Sequence, residues 1–337
     1  MTLGGKNYST HGSFDGNGSF IGGHSRSGLI INLLLHLDDD SDQITGSISD
    51  DVFTSQLTAD RLIHSKSNPA AEAGNYTILI PANENEPDAP QGNSFGILKV
   101  DSSGKTRVAG SLADGTKFSQ SAGISKNGTW PFYAPIYKRA GSISGEITFR
   151  DQPGVSDLDG TVDWFRPPMA NAKIFPDGFS TETALLGSTY VRASGQPVLS
   201  VIPSEQNVLI NLGQGDLDSE LQKPATLENN NKIVVPESND EKLRVSVSAS
   251  SGSLHGSFIH PVTGRKTRHS GVVFQKQNLA EGYFIGADQS GFVSVVPTES
   301  DGGFSTGEPP VAEDVAPVTE PDPTTETVTN PKKHKRH

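Results

Sequence analysis

The sequence contains no cysteine, and it has only two methionines and two tryptophans. A chain without cysteine forms no disulfide bond, no thiolate zinc site and no cysteine nucleophile. Hydrophobic residues make up 33% of the chain, while glycine and proline contribute 36 and 22 residues. This composition is poor in helix formers and rich in turn formers, which favours many short strands over helices. We therefore expect strand pairing and core packing to provide the stability.

Long apolar runs are also missing. The most apolar stretch, LIINLLLHL at residues 29–37, is about half of the ~20 residues that a membrane-spanning helix requires. It is interpreted as a strand buried on both faces. The first ten residues have neither the basic nor the apolar region of an export signal. The sequence therefore predicts no transmembrane helix and shows no signal peptide.

The charge balance limits the possible partners. The 337 residues carry a formal net charge of −12. Nucleic acid and anionic membranes are held mainly by clustered Lys and Arg, so an acidic chain disfavours both as general partners. The C-terminal KKHKRH is a compact basic patch. We interpret it as a solvated chain end, with contact to an anionic surface polymer as the alternative.

An internal repeat organises the chain. At an offset of 110 residues, Asn17 and Gly18 align with Asn127 and Gly128, and Phe20 aligns with Trp130. Each Asn-Gly pair predicts a type I′ hairpin turn, in which both central residues have positive φ. A Ser-Asp turn also recurs, and a weaker third copy covers residues 252–274. These matches predict a recurring β-meander.

The repeat and the composition together predict the domain boundaries. We expect a truncated first repeat at 1–66, a second at 67–170, a connector at 171–197, a divergent third repeat at 198–297 and a disordered tail at 298–337. The first repeat has no counterpart of the segment that precedes Ser111. We expect either that the natural protein extends upstream, with its export signal, or that another segment covers the open edge.

Several stretches resemble an uncharacterised class of β-rich repeat modules found in large exported bacterial proteins, often beside immunoglobulin-like repeats. They are GSLADGTKFSQ, KNGTWPFYAPIY, GSISGEITF, SDLDGTVDW and GVVFQKQNLAEGYFIGADQSGFVSV. The resemblance covers nearly all of residues 3–297 and implies an extracellular or cell-surface setting. It brings no assigned catalytic residue.

The stretch TWPFYAPIY is the first candidate ligand site. On a strand, Trp130, Phe132 and Ile136 lie on one face, and Tyr133 and Tyr137 on the other. One face would then serve the core while the tyrosines offer a stacking platform for a sugar or peptide, and Trp130, Tyr133 and Tyr137 are the candidate ligand residues of this strand. The alternative is that both faces are buried, since Phe20 occupies the position of Trp130 in the first repeat.

The second candidate is a calcium site at Asp38, Asp40 and Asp42, which have the i, i+2, i+4 spacing of the first EF-hand ligands. Gln43 stands where that loop needs glycine, and Ser49 where it needs glutamate. Acidic residues are also common in turns, so the alternative is a plain hairpin turn. No other cofactor is expected, because the histidines show no ligand spacing.

The match GFSTG at 303–307 resembles a nucleophile elbow but lacks the preceding strand and following helix that strain such a turn, so it is interpreted as a chance match.

We predict an all-β fold of antiparallel meanders that form barrels or sandwiches. The expected function is a non-enzymatic structural or adhesive module that binds surface glycans or other repeats of a larger protein. A polysaccharide hydrolase or lyase and an outer-membrane barrel are the alternatives.

Overall fold

The computed structural model describes residues 2–3, 6–26, 29–38, 40–192, 195–236 and 238–298. In these ranges the chain is all-β, as the sequence predicts, with antiparallel sheets and two short 3₁₀ turns but no α-helix. No helix there has the length and apolar character needed to cross a lipid bilayer. The predicted disordered tail lies outside the described residues, apart from Thr298.

The N-terminal part is a four-stranded antiparallel sheet preceded by a small hairpin. The hairpin strands are β1 (Thr2–Leu3) and β2 (Lys6–Asn7). The sheet, in the order β3-β4-β5-β6, consists of β3 (Ser19–Arg26), β4 (Leu29–Asp38), β5 (Gln43–Ser49) and β6 (Thr54–Asp60). Along β4, Ile31 and Leu33 are buried whereas Ile30 and Leu34 are exposed, so the apolar run has one buried face rather than the predicted two.

The next eight strands form the first barrel, an up-and-down meander in which the first strand pairs with the last. Its strands are β7 (Gly74–Ile80), β8 (Ser94–Val100), β9 (Lys105–Ser111), β10 (Lys117–Gly123), β11 (Thr129–Ile136), β12 (Gly141–Gln152), β13 (Ser156–Arg166) and β14 (Phe179–Thr189). Where the sequence predicts an irregular connector, β14 pairs with both β13 and β7. This strand is hard to recognise in the sequence because it has few hydrophobic residues, since only about every second residue faces the core.

The barrel is not paired between β10 and β11, and side chains bridge this gap. Gln120 on β10 donates from Nε2 to the carbonyl oxygen of Pro131 at 3.1 Å, and its Oε1 accepts from Trp130 Nε1 at 3.0 Å. Two prolines, Pro131 and Pro135, lie on β11. Because proline has no backbone N–H, it occurs in sheets mainly on edge strands. The barrel is therefore nearly closed.

The second barrel repeats this plan with the strands β15 (Val208–Gln214), β16 (Leu221–Leu227), β17 (Ile233–Val234), β18 (Arg244–Ser248), β19 (Ser253–Ile259), β20 (Lys266–Phe274), β21 (Leu279–Ile285) and β22 (Ser290–Pro297). Its first and last strands also pair. Between β17 and β18 a single bridge joins Lys232 to Ser246. Each barrel has its own hydrophobic core, built from residues that alternate inward along the strands.

The two Asn-Gly turns are built alike. Before β3, the Asp15 carboxylate accepts hydrogen bonds from the backbone of Asn17 and Ser19, both at 2.9 Å. Before β11, a serine hydroxyl at the equivalent position accepts from Asn127. The glycines Gly18 and Gly128 both have φ of 73°, but their asparagines are not among the residues of positive φ. The predicted type I′ turn is therefore wrong, because one left-handed glycine closes each turn.

An apolar interface joins the barrels. Leu79 of β7 packs with Val272 and Phe274 of β20, and the Thr77 hydroxyl donates to the carbonyl oxygen of Val273 at 2.7 Å. Burying these side chains removes apolar surface from water on both barrels. The two barrels therefore form one packed body.

Glu281 on β21 lies at this interface, and we expect its neutralisation to be stabilising. Its Oε2 accepts from Asn93 Nδ2 at 2.8 Å, and burial raises the pKa of its carboxyl above the ordinary value. The unfolded chain ionises Glu281 at a lower pH, so the charged form weakens the folded state as pH rises. Glu281→Gln should raise the calorimetric unfolding temperature at pH 7. The exposed substitution Glu182→Gln on β14 is the control; equal shifts in both variants would contradict the prediction.

Candidate functional site

A cleft of about 600 Å³ opens where the two barrels meet. Four of its lining residues are cationic: Lys173, Arg265, Lys266 and Arg268. Hydroxyl groups of Thr263, Thr267, Ser270 and Tyr283 share the lining, and none of the described residues that line the cleft is acidic. Of the residues that the structure describes, none forms an ion pair with these four cations. We call this feature the cationic cleft.

Strand β20 supplies most of the cations through strand alternation. Lys266 and Arg268 point outward and are exposed, whereas the intervening Thr267 is half-buried and His269 is buried. Arg265 lies in the turn before β20, where its carbonyl oxygen accepts from the backbone N–H of His260 at 2.9 Å. The three cations are therefore held on a rigid strand and its adjoining turn.

Lys173 reaches the cleft from the loop that joins β13 to β14. Arg166, at the end of β13, donates from Nη2 to the carbonyl oxygen of Ile174 at 2.9 Å. Its guanidinium also lies 5.8 Å from the centroid of the Phe175 ring, within the range of a cation–π interaction. The contacted residues lie one and two positions after Lys173, so Arg166 helps to position the loop that presents this cation.

Arg166 is itself held by a buried ion pair. Its Nη1 contacts the carboxylate of Asp114, and the side chains of both residues are at least 95% buried. Tyr137 donates its hydroxyl to Asp114 at 2.5 Å and accepts from Trp164 Nε1 at 3.0 Å. Burial and the nearby Asp114 raise the pKa of the Tyr137 hydroxyl. The tyrosine therefore stays protonated and donates to the carboxylate.

The inner wall of the cleft is formed by Tyr283 of β21. Its hydroxyl shares a hydrogen bond of 2.6 Å with the Ser111 hydroxyl, which accepts from Lys117 Nζ at 2.8 Å. Burial raises the pKa of Tyr283 despite the hydrogen bond to Ser111. Lys117 thus adds a fifth positive charge behind the lining.

This arrangement can bind an anion. Arginine guanidinium groups match carboxylate, sulfate and phosphate groups with paired N–H donors, and lysines add positive charge. The Thr and Ser hydroxyls can exchange hydrogen bonds with neutral hydroxyl groups of the same ligand. Neither a carboxylate nor an imidazole, the usual general acids and bases, is present in the described lining. The chemistry that the cleft supplies is therefore recognition of negative charge.

Comparisons with known proteins give the following. No protein-family model and no curated protein matches the chain. A double mutant of the vaccine antigen transferrin binding protein B from Haemophilus parasuis Hp5 is 10% identical, with a TM-score of 0.20 over 79% of this chain and 64% of that chain. Intact Ap-TbpB, with N and C lobes, is 9% identical, with a TM-score of 0.17 over 80% and 66%. The β-propeller domain of the Trilobed protease from Pyrococcus furiosus is 8% identical, with a TM-score of 0.12 over 84% and 96%.

The present chain spans slightly less than two thirds of the length of these two transferrin binding protein B chains. The TM-scores of all three likenesses lie well below 0.5.

The predicted aromatic platform is divided by the fold. Trp130 is 0% exposed, so its ring faces the core of the first barrel and not solvent. Tyr137 follows the end of β11 with φ of 50° and turns into the polar cluster around Asp114. Tyr133 is 41% exposed, and stacking of a sugar on this residue alone stays a prediction. Burial of Trp130 follows from strand alternation, since Phe132 and Ile136 share its inward face.

The three aspartates of the predicted calcium site lie in the turn between β4 and β5. The Asp38 carboxylate accepts from the Ser41 hydroxyl at 2.6 Å and from the backbone of Asp40 at 3.0 Å, and these bonds lower its pKa. Asp42 pairs with Arg61 at 3.1 Å. No group of three or more His, Asp or Glu side chains within the described ranges is arranged to hold a metal ion. Calcium binding here stays a prediction that has no support from the geometry.

The residues of the cationic cleft were missed by the sequence analysis. Lys173 is about ninety residues from the other three cations in the chain, and only the packing of two barrels brings them together. One feature of the sequence indicates part of this cleft. RKTR at 265–268 is the densest basic cluster before the C-terminal end, and its alternation with Thr267 is typical of a strand with one charged face.

Proposed function

We propose that the chain is a non-enzymatic, extracellular or cell-surface module that binds an acidic polysaccharide in the cationic cleft. The main supporting observation is that four cationic side chains, which form no ion pair with any residue that the structure describes, line one concave surface of a chain whose net charge is −12. Unpaired clustered cations on an acidic protein favour a specific anionic ligand over general adsorption to anions.

A polymer of uronic acids or sulfated sugars fits the cleft. Its charged groups would pair with the arginines, and its hydroxyl groups would bind the Thr and Ser side chains of the lining. The volume of about 600 Å³ is in the usual range for ligand sites in proteins. The extracellular setting is supported by the resemblance to exported β-rich modules.

Charge reversal on β20 tests the proposal. We expect Lys266→Glu with Arg268→Glu to weaken binding of a polyuronate by at least about 100-fold, since charge-assisted hydrogen bonds contribute roughly 1.5–3 kcal/mol each. Isothermal titration calorimetry with polyuronate, sulfated polysaccharide and neutral dextran measures the effect. Binding of the wild-type chain should also weaken with added salt.

The matched control is Lys105→Glu with Arg107→Glu. These residues have the same i, i+2 spacing on an exposed face of β9, and the net charge changes by the same amount. Equal losses in both variants would overturn the proposal of a specific site. Binding of dextran as tightly as polyuronate would overturn the choice of ligand, and release of shortened sugars would overturn the non-enzymatic part.

A further inference from the structure

The outer edge of β6 is an open strand edge. β6 pairs with β5 over seven consecutive residues, Thr54 to Asp60, and no strand of the described residues pairs with its other side. A strand edge exposes backbone N–H and C=O groups that can pair with another chain. β6 is therefore a preformed docking edge.

The opposite edge of this sheet is covered, and the gap in each barrel is bridged by local contacts. Thr10 donates its hydroxyl to the carbonyl oxygen of Gly23 at 3.2 Å, and His24 Nδ1 lies 3.2 Å from the carbonyl oxygen of Ser9, so residues 8–10 run beside β3. In the first barrel, Gln120 bridges the gap between β10 and β11. A backbone bridge crosses the equivalent gap in the second barrel.

β6 also lacks the features that protect edge strands. It contains no proline, lysine or arginine. Its register with β5 has no bulge. Thr54, Gln56 and Thr58 are exposed and tolerate strand pairing, while Leu57 is half-buried on the opposite face. Seven residues in regular strand conformation, without a proline, a basic side chain or a bulge, are enough to form a complete strand pair.

We propose that β6 pairs antiparallel with β6 of a second copy of this chain, centred on Leu57. In this register Asp60, the only charged residue of β6, lies opposite Thr54 of the other copy, so no like charges meet. Leu57 lies beside its own counterpart and extends the apolar face of the sheet. Because β3 is covered, the contact closes at two copies and does not propagate.

The same chain shows how such a sheet is completed. β11–β14 has the strand order of β3–β6, and its last strand takes β7 as an antiparallel neighbour. Two sheets of four strands would give eight strands, the number in each barrel. A single edge pair buries a small area, so we expect a weak dimer.

Sedimentation of the full chain from about 1 μM to about 1 mM tests the proposal. The wild-type chain should shift from monomer to dimer with concentration. Gln56→Lys with Thr58→Lys places lysines opposite lysines of the partner and should stay monomeric throughout. Thr45→Lys with Ser47→Lys is the matched control, because these residues pair with Thr58 and Gln56 on the interior strand β5, and it should dimerise like the wild-type chain.

The absence of cysteine allows a register test that does not depend on the lysine variants. Under mild oxidation Leu57→Cys should form a covalent dimer, since directly opposed strand residues have Cα distances suited to a disulfide. Ser55→Cys is opposite Ala59 in this register. Its own counterpart would be about 13 Å away, so it should remain monomeric. A wild-type chain that is monomeric at about 1 mM, or equal cross-linking of both cysteine variants, would overturn the proposal.

Discussion

Arg166→Met is expected to lower the free energy of unfolding of the first barrel by about 3–5 kcal/mol, because it leaves the buried Asp114 carboxylate without its counter-ion. Tyr137 and the backbone N–H of Thr116 would still donate to Asp114, but they bring no positive charge. Urea denaturation followed by tryptophan fluorescence measures the loss. Both tryptophans, Trp130 and Trp164, lie in this barrel, so the signal reports on it specifically.

The control is the double variant Arg166→Met with Asp114→Leu. Removing both partners takes away the uncompensated charge, so the double variant should be more stable than Arg166→Met alone. A loss below about 1 kcal/mol in Arg166→Met, the scale of an exposed ion pair, would contradict the account of a buried pair. Arg166→Met should also weaken polyuronate binding, since Arg166 positions the loop that carries Lys173.

His269 is expected to make the second barrel less stable in weak acid. Its side chain is 1% exposed, its Nε2 lies 3.0 Å from the carbonyl oxygen of Arg244, and burial lowers its pKa from 6.5 to about 4 despite that hydrogen bond. The carbonyl oxygen can only accept, so the neutral ring carries its proton on Nε2. Gly256 lies directly against the ring, where a Cβ atom would collide with it.

The sign of the effect follows from the two protonation states. Below pH 6.5 the unfolded chain binds a proton at His269, whereas the folded chain binds one only near pH 4. The free energy of unfolding therefore falls between these values, by roughly 3 kcal/mol for this group. His269→Gln keeps an N–H donor but does not titrate, so its stability should fall less.

Calorimetry between pH 7 and pH 4 measures this difference. His11→Gln is the matched control, since His11 is exposed in the segment before β3, and this variant should lose as much stability as the wild-type chain. Carboxylate protonation affects all three proteins alike, so the comparison isolates His269. If the wild-type chain and His269→Gln lose stability in parallel, His269 does not carry the effect.

Local sequence patterns predicted the fold class because turns and strands are determined by residues that are close together in the chain. Glycine and proline marked the turns, and alternation along KNGTWPFYAPIY correctly placed Trp130, Phe132 and Ile136 on one inward face. The turn type was predicted less well. Asn-Gly is compatible with several turns, and the hydrogen bonds that the Asp15 carboxylate accepts from the backbone of Asn17 and Ser19 favour the turn with a single left-handed glycine.

The sequence by itself determined that this protein is an all-β chain without cysteine chemistry, since composition and alternation act along the chain. Only the tertiary structure decided where β14 pairs, which aromatic rings are buried, and that Lys173 meets Arg265, Lys266 and Arg268 in one cleft. The physical reason is the sequence separation between the residues that come into contact. A cleft made by the packing of two barrels depends on contacts between residues about a hundred positions apart, and no local pattern encodes that distance.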